Sequence, residues 1–221
     1  MNDTQGTRER LMEAAMAEFA RQGYVCATVA DICARAEANV ASVNYHYGSK
    51  EKLYQEVWRE AFARAHKRFP VDEGLCADAA PQERLRAFIR AKVFQMLESG
   101  EEDYFGMILT NEIGHPTECL DNMKCETILP MAERLRSIVI DILALPATDR
   151  RIELCMMSVL HQCLALGMMK STAPKVLIQR LGGSGDFKFT AEQIDCIAKH
   201  IYEFSIGGIM RIKQELERSS T

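Results

Sequence analysis

The sequence lacks most of the features that would mark an alternative to a helical globular protein. Aromatic residues make up only 7% of it, with a single tryptophan. No Asn-Gly or Asp-Gly dipeptide separates two alternating apolar runs, so no β-hairpin is signalled. Six prolines and 13 glycines exclude collagen-like and low-complexity chains. The longest stretch without Asp, Glu, Lys or Arg is Leu154 to Met169. It is shorter than the ~20 residues of a spanning helix and contains His161, Gln162 and Gly167, so no membrane association is expected. Met1 to Arg10 is polar and has no apolar signal-like segment, which makes the cytoplasm the expected location. No excess of positive charge marks a generally cationic chain, since 27 basic residues face 31 acidic ones for a net charge of −4.

Motifs of catalysis are missing too. There is no G-x-S-x-G, H-E-x-x-H, G-x-G-x-x-G or P-loop, so an enzyme is a remote alternative and no cofactor is expected. Eight cysteines are present, but no two have the C-x-x-C spacing of a zinc ribbon or a redox pair. Cys155 and Cys163 fall on apolar helical faces, where a free thiol acts as a small hydrophobe. Glu112, His115, Glu118 and Cys119 cluster in sequence, but Pro116 interrupts them and no fourth ligand is evident, so no metal site is expected.

What is present is 48% hydrophobic residue, enough for a buried core, recurring at spacings of three and four. The expected fold class is all-α. Helices are expected over 7–23, 28–36, 40–47, 49–69, 82–98, 102–113, 118–144, 148–170, 175–181 and 190–217. Gly23 stands where a left-handed helix end belongs, and Thr28, Asn39 and Ser49 stand where N-caps belong. Asp31, three residues after Thr28, suggests a capping box with Asp in place of Glu. Pro130 is expected to kink or split its helix. The 70–81 segment reads as a linker and 182–185 as a glycine loop.

A helix, a short turn and a short second helix, followed at once by a capped long helix, is the helix-turn-helix pattern. The second helix has to be short and braced so that its N-terminal end can enter a major groove. Val43 and Tyr47, four apart, would face inward. Asn39, Ser42, Asn44, Tyr45 and His46 would face outward as hydrogen-bonding groups for phosphates and base edges. Ala41 is small enough for close approach to a backbone. Thr28 opens a helix whose free N–H groups attract phosphate, and Lys50 can reach one as a point charge.

The residues Thr7-Arg8-Glu9-Arg10-Leu11 through Phe19, Gly23-Tyr24, Thr28-Val29-Ala30-Asp31-Ile32, Ala34-Arg35-Ala36 and Tyr45-His46-Tyr47-Gly48-Ser49-Lys50-Glu51-Lys52-Leu53 resemble the N-terminal domain of TetR-type transcriptional regulators. The likeness covers about residues 7–60. Asn39 to Lys50, with the later Pro130 helix, most resembles a subgroup of drug- and stress-responsive repressors of efflux and transport genes. Two positions depart from the family pattern. Glu37 occupies a turn position usually filled by glycine, and Asn44 a position often filled by tyrosine. Glu37 implies either a strained left-handed residue or a differently built turn.

The resemblance implies a DNA-binding domain over 1–50 and a helical ligand-binding and dimerisation domain over 51–221. It implies a homodimer on double-stranded operator DNA and a repressor released by a small apolar or amphipathic effector. The helix over 49–69 would be the lever between head and body. A thiol- or metal-sensing regulator is the alternative. Residues 1–52 hold six Lys/Arg against seven Asp/Glu, which implies few phosphate contacts and a shallow dependence on salt. For the effector site, the methionine-rich C-terminal region and its polar residues nominate Met107, Met131, Met157, His161 and Cys163. The helices over 148–170 and 190–217 both carry wide apolar stripes. Gly207-Gly208 in the second suggests close helix approach, hence an interface of two helices from each subunit.

Overall fold

A computed structural model describes residues 2–76, 78–97, 104–172, 179–180 and 188–219. The described residues are helical with no strand, as the apolar spacing predicts. The helices are α1 (Asn2–Cys26), α2 (Val29–Arg35), α3 (Val40–Tyr47), α4 (Lys50–Arg68), α5 (Pro81–Leu97), α6 (Phe105–Gly114), α7 (Asp121–Leu143), α8 (Arg150–Thr172) and α9 (Ala191–Ser219). A 3-10 turn, Glu118–Leu120, precedes α7. The helix expected over 175–181 and the loop at 182–185 lie outside the described residues, apart from 179–180. Pro130 does not split its helix: α7 runs through it unbroken.

Packing divides the chain into two units, residues 1–65 with 101–127, and 66–100 with 128–221. The divisions fall inside α4 and α7. The first unit therefore holds α6 and the start of α7 in addition to the helix-turn-helix.

In the first unit, Leu11, Ala15 and Phe19 of α1 are fully buried, together with Ile32 of α2, Val43 of α3 and Leu53, Val57 and Trp58 of α4. Trp58 meets Phe105 edge to face at 5.7 Å and donates its indole N–H to Thr127 Oγ1 at 3.0 Å, so its one polar atom is satisfied where the ring is buried. α1 does not end at Gly23. That residue has φ 71°, ψ 170°, which kinks the helix, and one further turn leads to Cys26. Gly23 is needed there because side chains do not tolerate that backbone region.

In the second unit α9 packs mainly on α5, and α8 packs on both α5 and α9. The core is Leu85, Phe88, Ile89 and Val93 of α5, Leu135, Val139 and Ile142 of α7, Ile152, Val159 and Cys163 of α8, and Ile194, Ala198 and Ile209 of α9. Arg90 crosslinks this unit at its rim, with Asp195 at 2.6 Å and Glu73 at 2.6 Å.

Candidate nucleic-acid interface and effector cluster

The turn between α2 and α3 explains how α3 is presented. Glu37 adopts φ 51°. The Glu37 N–H donates to Ala34 O at 3.3 Å and the Ala38 N–H to Cys33 O at 3.0 Å. That double closure is the Schellman arrangement, with glutamate where glycine is usual. The strained left-handed reading of Glu37 is thus the one adopted. The chain leaves the turn through Asn39, whose side chain accepts the Ala41 N–H at 3.0 Å and caps α3.

α3 buries Val43 and Tyr47 and turns the rest outward. Asn39, Ala41, Asn44 and Tyr45 are exposed, and Ser42 and His46 are half-buried. Ala41, Asn44 and Tyr45 share one face by their three- and four-residue spacing. Tyr45 is 78% exposed, although its ring meets His46 edge-on at 4.9 Å.

The supports of α3 are specific. Tyr47 donates its hydroxyl to Arg8 O at 2.8 Å, and the Arg8 guanidinium lies over the Tyr47 ring at 5.4 Å. Arg10 donates to Ala36 O at 3.2 Å, tying α1 to the end of α2. Glu18 is buried and accepts from Arg21, Gln22 and Arg35. Burial alone would raise its carboxyl, but those bonds and the charges of Arg21 and Arg35 leave it below the ordinary carboxylate range.

Two of the expected phosphate ligands have local partners. Thr28 accepts the Asp31 N–H at 3.1 Å and donates its hydroxyl to Asp31 Oδ2 at 2.6 Å. The cap is as expected, but the Asp31 carboxylate meets the hydroxyl rather than completing a reciprocal box. Ser49 caps α4 by accepting the Lys52 N–H at 3.1 Å. Lys50 rests its ammonium over the Tyr24 ring at 4.5 Å, and burial lowers its pKa.

The effector nominees do not form one constellation. Met107 lies on α6 in the first unit and is exposed. Met157 and His161 are one turn apart on α8 and exposed, with His161 Nδ1 2.8 Å from Met157 O. The buried stripe of α8 is Ile152, Cys155, Val159, Cys163 and Leu166, which turns 157 and 161 to the opposite side. Met131 and Cys163 do sit inside the second unit, near Lys92 of α5. Lys92 is 5% exposed. Its ammonium donates to Gln95 Oε1 at 2.7 Å, faces His66 Nε2 at 3.5 Å and touches the Met131 sulfur. Gln95 in turn donates to Phe69 O at 2.8 Å. This cluster was missed from sequence, although Lys92 shares the register of Leu85, Phe88, Ile89 and Met96, and a charge in that register is a signal.

Glu112, considered above as a metal ligand, is occupied otherwise. It is buried and accepts from Tyr54 Oη at 2.8 Å, Thr117 Oγ1 at 2.7 Å, Thr117 N at 3.1 Å and Lys124 Nζ at 3.1 Å. Cys26, Cys76, Cys125 and Cys196 are exposed, while burial raises the thiols of Cys33, Cys119, Cys155 and Cys163.

Comparison with known proteins decides the family. Residues 81–209 match the family profile described as the C-terminal domain of the HTH-type transcriptional dual regulator CecR. Residues 11–57 match that of bacterial regulatory proteins of the tetR family. The chain belongs to the TetR family, with a CecR-type C-terminal domain. This TetR-family chain is 37% identical over 70 residues to the HTH-type transcriptional repressor SCO4008 of Streptomyces coelicolor, covering 32% of the chain and 36% of that repressor, about a third of its length. It is 26% identical over 174 residues to the dual regulator CecR of Shigella flexneri, covering 75% and 77% of the two chains. Among solved structures, AibR in complex with isovaleryl coenzyme A and operator DNA shares the fold, with a TM-score of 0.66 at 16% identity over 90% of this chain and 97% of that one. A helix-turn-helix transcriptional regulator is the function the family profiles support.

Proposed function

We propose that the protein acts as a homodimeric repressor in the cytoplasm, holding an operator through α3 of each subunit and releasing it when an effector occupies the second unit. It acts by binding, without catalysis. The observation that carries the reading is the sidedness of α3: Val43 and Tyr47 are buried while Asn39, Ala41, Asn44 and Tyr45 are exposed. Asn44 suits an amide contact to a base edge, Tyr45 and His46 suit phosphates, and the α3 N-terminus adds oriented N–H groups. Thr28, Ser42 and Lys50 complete the contact set. Lys50 on the Tyr24 ring and Arg8 on the Tyr47 ring present two positioned cations.

The same proposal accounts for α8 and α9. Among the described helices, α8 is long and apolar enough to cross a membrane by composition, yet only 33% of its apolar window is buried. Leu154 and Met157 of α8 and Phe204 of α9 are exposed. Between the two helices runs an open apolar groove of about 220 Å³ lined by Leu154, Val159, Phe204, Gly208, Ile209 and Ile212. A Cβ on Gly207 or Gly208 would meet nothing within 4 Å. A second copy packing there would cover this surface as a four-helix interface.

The test is a mobility shift with the DNA flanking the protein's own coding sequence. The wild-type protein is expected to retard a specific fragment. Tyr45→Ala and Lys50→Ala should abolish the shift while far-ultraviolet circular dichroism stays unchanged. Unaltered shifts in both variants would remove α3 from the contact surface.

A further inference from the structure

We propose that Lys92 is the docking point for a single carboxylate on the effector, so that the effector class is an apolar molecule carrying one anionic head. The proposal rests on the reading that the second unit receives an effector, and it adds the chemistry of that molecule.

Three charged side chains are buried among the described residues: Glu18, Lys92 and Glu112. Glu18 has Arg21 and Arg35, and Glu112 has Lys124. Lys92 has no carboxylate within ion-pair distance among the described residues. Its neighbours are an amide oxygen, an imidazole nitrogen and a thioether sulfur. These can solvate an ammonium but cannot neutralise it. A buried charge without a counter-charge is strongly disfavoured, and a core built only for stability would place leucine or methionine at this position.

The neighbours also limit the ligand. Among the described residues, the titratable groups facing Lys92 are His66 from α4 and Cys163 from α8, whose thiol is pushed up to about 12 by burial and is therefore uncharged. One ammonium beside one imidazole balances a monoanion. A phosphate would bring up to about two negative charges and more acceptor oxygens than these donors match. Phe88, with its ring centroid 5.9 Å from the ammonium, and the flexible Met131 are the apolar side chains beside it, so the rest of the molecule would be apolar. Burial lowers the Lys92 pKa to about 7. An arriving carboxylate favours the ammonium form, so binding should take up a proton on the alkaline side of that value.

The experiment uses the full chain without DNA and two pairs of probes: decanoate with decanamide, and 2-naphthoate with 2-naphthamide. Isothermal titration is run at about pH 8 in buffers of different ionisation enthalpy. At least one acid should bind about tenfold or more tightly than its amide, with proton uptake. Lys92→Met should erase both the preference and the uptake. A thermal melt of this variant at or above the wild-type midpoint establishes that it is folded, and Lys92→Arg, which keeps the charge, should retain the acid preference. Failure of both acids to bind, equal binding of acid and amide, or an acid preference that survives in Lys92→Met each overturns the proposal. A mobility shift run in parallel separates the two readings. Loss of operator binding by the wild type strikes the regulator model, whereas intact operator binding without acid preference strikes only the carboxylate.

Discussion

The side-chain amide of Asn111 donates to the carbonyl oxygen of Ala20 at 2.8 Å, and also to that of Phe19 at 3.2 Å. These two carbonyls lie in the turn before the kink at Gly23, and each can accept a second hydrogen bond. Asn111 of α6 supplies a donor to both. Asn111→Leu keeps the volume and removes the donor, so it should lower stability by about 1–3 kcal/mol. Asn111→Ala should cost less, because water can enter. Urea unfolding measures both, and a wild-type midpoint for Asn111→Leu would show that the bond contributes nothing.

Tyr47 joins two functions in one ring, packing under α3 and fixing Arg8. Tyr47→Phe should cost about 1 kcal/mol, the net worth of one hydrogen bond. Its larger effect should be on DNA. With the Arg8 backbone unpinned, operator affinity should fall several-fold, which fluorescence anisotropy with a labelled operator would detect.

Phe204 is 68% exposed beside the α8–α9 groove. Phe204→Asp should leave the helical content intact and shift the protein from dimer to monomer. Sedimentation velocity across a dilution series reads this directly. A wild-type chain that is already monomeric at micromolar concentration would refute the dimer.

Lys92 gives stability a definite slope with pH. Its folded pKa of about 7 lies below the ordinary lysine value of about 10.4. Between those values the unfolded chain binds more protons than the folded one, so Lys92 makes stability rise with pH across that window. Below it the ammonium is buried at full cost. Lys92→Met should therefore exceed the wild type in stability most near and below pH 7, with the gap closing as pH rises. Urea midpoints at neutral and alkaline pH check the sign.

Much of this was legible in the sequence because it is local. The caps at Thr28, Asn39 and Ser49 depend on a polar side chain a few residues from the N–H it accepts, and all three are made. The inward turn of Val43 and Tyr47 follows from helical period alone. What was not legible is long-range. Nothing near Gly23 announces that Asn111 will cap the kink, because 88 residues separate them. Membership of α6 in the first packing unit was hidden for the same reason. The effector nominees show the limit of composition: methionine marks adaptable surface but not which side of a helix it occupies, and Met157 and His161 lie opposite the buried stripe of α8. Lys92 stands out in the sequence by another route, since a lone charge in an apolar register needs a reason whichever side chain surrounds it.

The bend at Gly23 reaches further than the helix it interrupts. It sets the direction of the last turn of α1, where Tyr24 lies 4.9 Å from Tyr54 in a stack and carries the Lys50 ammonium on its ring. A straight α1 would take that aromatic seat elsewhere and leave the lysine to wander in solvent. One backbone torsion, available to glycine and to little else, thus determines where the Lys50 ammonium comes to rest.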